Sequence, residues 1–384
     1  MEQFFIRPDP LYLKDTPGLS TNPVNYLEIY QFLVMLSEPT GLRESYFGVI
    51  HVLFLKCQIS IYLYTTLTRN MIKPDLHKPA WQWATLILLA FFWGSSFILM
   101  KKGLQSYSNG QVAAFRIFFS FLAFLPMGIP KLKKIHRGNI RSVLLVAIIG
   151  NTLPAFLFTK AQTQIDSSLA GILNSMAPLF TLIVGAIFYR SKAKALNVVG
   201  IFLGLAGAAG LIIVNAEADK LFDPGKMNIY GLFVVLATLC YGINANEIKY
   251  KIKDLKGLEI TALSFTIAGP VGLVYLLFSD FSAVAETENY LQNLGYVFLL
   301  AMFSSVAALS IFYTFLQYVH PLFATSVTYL IPVIAIFWGV LDGETLVPLQ
   351  FLFIGAILVG VYLVTWKNNN KKSSTYETKQ TINS

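Results

Sequence analysis

Apolar and polar positions along this chain separate into blocks of about twenty residues, much longer than the short periods of a half-buried strand or a surface helix. The run LAGILNSMAPLFTLIVGAIFY, residues 169–189, is the clearest block. At about 1.5 Å per residue it reaches about 30 Å, the thickness of a bilayer's hydrocarbon core. The design returns at 323–341 as FATSVTYLIPVIAIFWGVL, where Ala324, Pro332 and Gly339 keep the spacing of Ala170, Pro178 and Gly185. One pattern met twice implies an internal repeat, and a duplicated membrane unit places its functional site where the copies meet.

Taken in order, the pattern predicts spans at 81–100, 112–129, 142–161, 168–189 and 195–214, then, after the polar stretch AEADKLFDPGKMN, at 229–248, 260–278, 296–318, 323–341 and 349–366. Two sets of five helices result, an all-α membrane protein whose first unit covers 81–214 and whose second covers 229–366. Residues 1–70 do not share this texture. Their best apolar run, 47–67, carries Lys56, Gln58 and several Tyr and Thr residues and lacks the cleavage site of a signal peptide. It reads as an eleventh helix, an interfacial segment or, the reading preferred here, sequence upstream of a start at Met71. The polar tail 367–384 is expected to be a disordered extension.

Composition agrees with membrane embedding: 55% hydrophobic and 13% charged residues, mean hydropathy +0.60, against about 25% charged in an ordinary soluble domain. The net charge of +9 is not a nucleic-acid signature, because the lysines and arginines sit in short clusters between apolar runs. Lys131, Lys133, Lys134, Arg137 and Arg141, then Arg190, Lys192 and Lys194, then Lys251, Lys253 and Lys256 all fall on one side of a ten-span chain, which makes that side, and both termini, cytoplasmic. A bacterial cytoplasmic membrane is the expected location. Lys101 and Lys102 end the first span on the outer side, where they must snorkel or serve the cavity; Lys160 is expected to snorkel. The two cysteines and four histidines are scattered, and HExxH, Walker A and GxSxG patterns are missing, so no cofactor, metal or hydrolytic chemistry is implied.

FFWGSSFILMK in the first span is echoed by LCYGINANEIK in the sixth, pairing Trp93, Gly94 and Lys101 with Tyr241, Gly242 and Lys249 at identical spacing. Because each unit has an odd number of spans, the second copy enters the membrane from the opposite face, and the repeat is inverted. Inverted repeats share a cavity near the midplane that rocking exposes to each side in turn. Gly200, Gly204, Gly207 and Gly210 in the fifth span permit close helix packing. Pro154, Pro178, Pro270 and Pro332 are expected to kink their helices, their freed carbonyls being met by a neighbour, water or ligand.

WGSSF with its lysine, Arg116 in AAFRIFF, SSLAGILNSMAPLF, and ATSVTYLIP with GVLDGE together resemble the EamA-type branch of the drug/metabolite transporter superfamily. The resemblance runs from Trp81 to about Trp366. It implies a ten-helix secondary transporter, commonly an exporter of amino acids, related metabolites or drugs. One departure stands out: the glutamate usual after the first repeat's proline helix is Arg190, while Glu344 keeps it in the second.

Polar groups inside spans are costly and need partners. Arg116 either binds a substrate carboxylate or phosphate bidentately or anchors a helix near the interface. Asn151, Asn174, Asn244 and Asn246 seek one another or a ligand. Trp93 and Tyr241, at matched positions, either wall a cavity or simply pack. Glu247 is the candidate coupling carboxylate, its alternative being a pair with a loop lysine. Asp342 and Glu344 are expected to be exposed helix-end caps. The function that unites these features is transport of a small molecule across the bilayer. A membrane-embedded lipid-modifying enzyme would need a cluster of acids or histidines at one membrane face, which the spans lack, and a non-transporting scaffold is the third reading. Nucleic acid is excluded as a partner, and a homodimer is left open.

Overall fold

A computed structural model of the chain describes residues 76–191, 195–213 and 229–365. The expectations for residues 1–70, the linker after 214 and the tail from 367 lie outside the described residues. Ten main helices follow one another: α1 Pro79–Gly103, α2 Asn109–Lys131, α3 Ile140–Ala161, α4 Ser167–Phe188, α5 Ala195–Ile213, α6 Gly231–Tyr250, α7 Gly257–Leu277, α8 Tyr290–Tyr318, α9 Pro321–Leu341 and α10 Pro348–Thr365. Among the described residues, nine helices are long and apolar enough to cross a bilayer, and the tenth, with its apolar part over Pro348–Val364, is slightly shorter.

The bundle carries its polarity inward. Phe188, Phe202, Val333 and Phe351 are largely exposed on its flanks, whereas Arg116, Asn151, Asn174, Asn244 and Glu247 are buried. In lipid an apolar exterior is the low-energy surface, and polar groups are retained only where other protein groups satisfy them.

Packing repeats when five is added to a helix number. The α2–α7 and α5–α10 pairs map onto themselves, α1–α9 onto α6–α4, α1–α8 onto α6–α3, and α2–α8 onto α7–α3. The ends of α1 and α9 meet the start of α4 through Lys101, Glu344 and Ser167. The ends of α6 and α8 meet at the opposite side, where Lys249 donates to the Leu316 and Gln317 carbonyls. Helices α1 and α6 therefore run in opposite senses, as an inverted repeat requires.

Two irregularities also repeat. Seven-residue π segments interrupt α3 at Val146–Thr152 and α8 at Ala301–Ala307. Helix α4 breaks between Asn174 and Ala177, and α9 breaks through the 3-10 turn Ser326–Tyr329. The prolines sit otherwise than as mid-helix kinks: Pro154, Pro178 and Pro332 occupy the first turn of the segment after an irregularity. At Pro178 and Pro332, which follow breaks in their helices, the absent N–H leaves no hydrogen bond unmade. Pro270 alone of the four lies inside a continuous helix.

The glycines of α5 pack against α10. A Cβ added at Gly200 would lie 2.5 Å from the Gly360 carbonyl oxygen, and one added at Gly360 would lie 2.6 Å from that of Gly200. Only residues without a side chain permit this backbone contact.

Candidate functional site

The repeats meet around a central cavity of about 860 Å³, counting all the space between its lining atoms and at its mouth. Its walls come from α1, α2, α3, α4, α6, α7, α8 and α9, with the breaks and π segments among them. Trp93, Arg116, Asn151, Asn174, Tyr241 and Asn244 all line it. Repeat-related residues line it together: Trp93 with Tyr241, Ser96 with Asn244, and Asn174 with Thr328. Asn246 lies elsewhere, donating to the Thr181 and Gly242 carbonyls at 2.9 and 2.8 Å.

Among the described residues, Arg116 alone brings a charge to the lining. Its Nε donates to Ser305 Oγ at 2.9 Å, and the Tyr241 hydroxyl stands beside the guanidinium. Both groups are neutral, so a buried positive charge is solvated by dipoles alone, which leaves it attractive to an anion. Ser305 belongs to the π segment of α8, whose wider turn displays consecutive residues toward the bundle interior.

A hydrogen-bonded chain crosses four helices at one edge of the cavity. Asn244 Nδ2 donates to the Tyr313 hydroxyl at 3.1 Å, which donates to Asn151 Oδ1 at 2.9 Å, and Asn151 Nδ2 donates to Ser264 Oγ at 2.9 Å. Three buried acceptors nearby have no hydrogen-bond partner: Asn174 Oδ1, Asn244 Oδ1 and Ser304 Oγ. Aromatic rings complete the walls. Trp93 meets Phe312 edge to face at 5.0 Å between centroids, Phe158 stacks on Tyr241 at 5.9 Å, and Trp93 Nε1 donates to the Ser304 carbonyl at 3.1 Å.

Several expectations from the sequence are corrected at the two ends of the bundle. Glu344 is not an exposed cap but is buried, with Ser167 and Ser168 each donating through backbone N–H and hydroxyl at 2.6–3.0 Å and Lys101 Nζ at 2.8 Å. Burial pushes its carboxyl up, but the hydrogen bonds from Lys101, Ser167 and Ser168 outweigh that and hold it below the usual range. Lys101 and Lys102 do not simply snorkel: both pair with Asp342, at 3.0 and 2.5 Å. Glu247 is held by hydroxyls, Ser142 Oγ at 2.6 Å and the Tyr189 phenol, instead of the loop lysine weighed as its alternative partner. Lys160 stands 5.6 Å from the Tyr230 ring centroid. Among the described residues no group of His, Cys, Asp and Glu is placed to hold a metal ion.

Sequence reasoning did not single out Ser305, Tyr313, Phe158, Phe312 or Thr328. Thr328 carried a usable signal, since it stands at the same offset from Asn174 as Pro332 does from Pro178. Ser304 and Ser305, adjacent hydroxyls inside an apolar span, carried another.

An inverted pair of five-helix units around a polar, aromatic-walled cavity defines a membrane transporter for small molecules. The chain belongs to the EamA-like transporter family, which matches it twice, over residues 81–213 and 228–366, and so to the drug/metabolite transporter superfamily. It is 28% identical over 290 residues to the Escherichia coli (strain K12) protein named uncharacterized inner membrane transporter YedA, covering 73% of this chain and 89% of that one. To the S-adenosylmethionine/S-adenosylhomocysteine transporter of Chlamydia trachomatis (serovar L2) it is 22% identical over 285 residues, 73% of this chain and 87% of that one. A solved structure, described only as the crystal structure of a protein, shares the fold with a TM-score of 0.52 and 16% identity over 73% of this chain and 96% of its own.

Proposed function

We propose that the protein is a secondary active exporter of small metabolites that carry a carboxylate or phosphate, amino acids and related compounds among them, working by alternating access in a cell membrane with both termini cytoplasmic. The observation that carries this reading is Arg116: a buried guanidinium in the central cavity, among lining residues that include no carboxylate. A substrate anion supplies the missing countercharge and engages the free side of the fork bidentately. The unpartnered amide oxygens of Asn174 and Asn244 suit a donor group on the same molecule, and Trp93, Phe158, Tyr241 and Phe312 suit an apolar or planar remainder. The Chlamydia relative's name adds S-adenosylmethionine and S-adenosylhomocysteine to the substrates worth testing, since both combine a carboxylate with an aromatic base. Glu247 is assigned to proton exchange: it lies outside the cavity lining, and the hydroxyls of Ser142 and Tyr189 can serve its charged or its neutral form.

The test is flux in proteoliposomes against pooled metabolites, with and without a pH gradient. Arg116→Lys keeps the charge but loses the fork. It should weaken transport of carboxylate or phosphate substrates by about 1.5–3 kcal/mol, the scale of a charge-assisted hydrogen bond, with expression unchanged. Normal rate and apparent affinity in both Arg116→Lys and Arg116→Gln would make Arg116 an anchor and sink the reading.

A further inference from the structure

The two repeats pack alike, yet they part company at the turns that follow α4 and α9. After α9 the chain folds back so that the Glu344 N–H donates to the Gly339 carbonyl at 2.9 Å. The carboxylate tucks against Gly339, where an added Cβ would sit 2.4 Å from Oε2. From there Glu344 gathers the start of α4, through Ser167 and Ser168, and the end of α1, through Lys101. Lys101 directly follows Met100, a cavity-lining residue, so this clasp stands next to one end of the cavity.

After α4 the backbone makes the corresponding return, the Ser191 N–H donating to the Gly185 carbonyl at 2.9 Å. Gly339 stands to Gly185 as the second repeat stands to the first, so Ser191 occupies the place of Glu344. Arg190, which sequence spacing alone aligns with Glu344, is instead the turn residue, at φ 54. The opposing helix start differs as well. Where Ser167 and Ser168 offer two N–H groups and two hydroxyls, α9 begins with Pro321, which has no N–H, and Leu322, whose N–H donates to His320 Nδ1 at 3.3 Å. Among the described residues, neither a carboxylate at the station of Ser191 nor a pair of serine donors at the start of α9 repeats this clasp at the lysine-rich end.

We infer that this one-ended clasp biases alternating access, so that the molecule rests closed at the Glu344 end with its cavity reached from the lysine-rich end. The inference rests on the transporter reading of the cavity and adds to it an unequal balance between the two facing states. A clasp made in one state only shifts the balance by its differential stability. Such a bias leaves the direction of net flux to the gradients; it makes the two faces differ in apparent affinity and sets which side loads first.

The test uses the full chain carrying Cys57→Ser, Cys240→Ser and Ser96→Cys, position 96 being a cavity-lining residue. A membrane-impermeant maleimide is applied to right-side-out and to inverted vesicles without substrate. Glu344→Gln should raise the labelling rate from the Glu344 face by about tenfold, the scale of one lost hydrogen bond to a charged group, and lower it from the lysine-rich face. Lys101→Met, which leaves the serine bonds in place, should move both rates the same way, and it keeps the test open should Glu344→Gln fail to insert. Rates that stay fixed, or that rise together on both faces, would reduce Glu344 to a helix cap and overturn the inference. Because labelling needs no transported substrate, reciprocal labelling without any flux would uphold the bias while counting against the transport reading.

Discussion

The two ends of the bundle are built from repeats of one fold, and they are closed by opposite strategies. At the Glu344 end a single buried carboxylate draws four donors from one helix start and a lysine from another helix, with Asp342 and Lys102 alongside. At the lysine-rich end the acids are dispersed: Glu259 pairs with Lys131 and Lys134, Asp254 meets His136 and Asn139, and Glu247 rests on two hydroxyls. Polar contacts concentrated on one desolvated group are strong and all-or-none, whereas pairs spread over separate acids with partly exposed partners are weaker and replaceable. The difference teaches that the repeat fixes helix packing while the turns between helices decide how each end is held.

The largest effect should come from removing the concentrated contact. Glu344→Ala leaves four serine donors without their acceptor and Lys101 with Asp342 alone, and should cost about 3 kcal/mol, read as a lowered unfolding midpoint in detergent. Glu259→Ala, whose lysine partners are 34% and 43% exposed, should cost about 1 kcal/mol or less. The reverse order would show that the two ends are held alike.

Acid sharpens the same contrast. Burial raises the Glu344 and Asp342 carboxyls, but hydrogen bonds, from Lys101 and the serines in one case and from Lys102 and Lys101 in the other, bring both below their ordinary values. Folded groups with depressed pKa values contribute stability that is complete above the unfolded pKa, 4.5 for a glutamate here, and is lost as pH falls through the folded value. Stability should therefore be level from about pH 5 to 8 with respect to these groups and fall in stronger acid. Glu344→Gln should flatten that fall. Asp254→Asn should do so much less, since Asp254 is 43% exposed, even though Asn139 and His136 also hold its carboxyl down against burial. The smallest expected change is that of Lys160→Met, which forfeits a cation–π contact with Tyr230 worth about 0.5–1 kcal/mol.

Hydropathy and repeat spacing were enough to place the ten helices, their opposed senses and six residues of the central cavity, because apolar length and odd span number are properties of the chain read in order. The π segments at Val146–Thr152 and Ala301–Ala307 were invisible to that reading. They add one residue to a turn, which changes neither the length nor the hydrophobicity of the block. The burial of Glu344 was hidden for another reason: its donors Ser167 and Ser168 lie 177 and 176 positions away in the chain. Asn246 resembled the cavity asparagines because an amide in a span has the same composition whether it meets a ligand or the carbonyl of Thr181.

The contact between Gly200 and Gly360 is reciprocal, each glycine meeting the other's carbonyl. It has the form of an isologous dimer interface whose two partners happen to share one chain. In a dimer of identical subunits every substitution is written on both sides of the axis at once. Fusion removes that constraint: one half can carry Glu344 and the other Ser191 at the same station, so the molecule can acquire a front and a back while its seam stays symmetric.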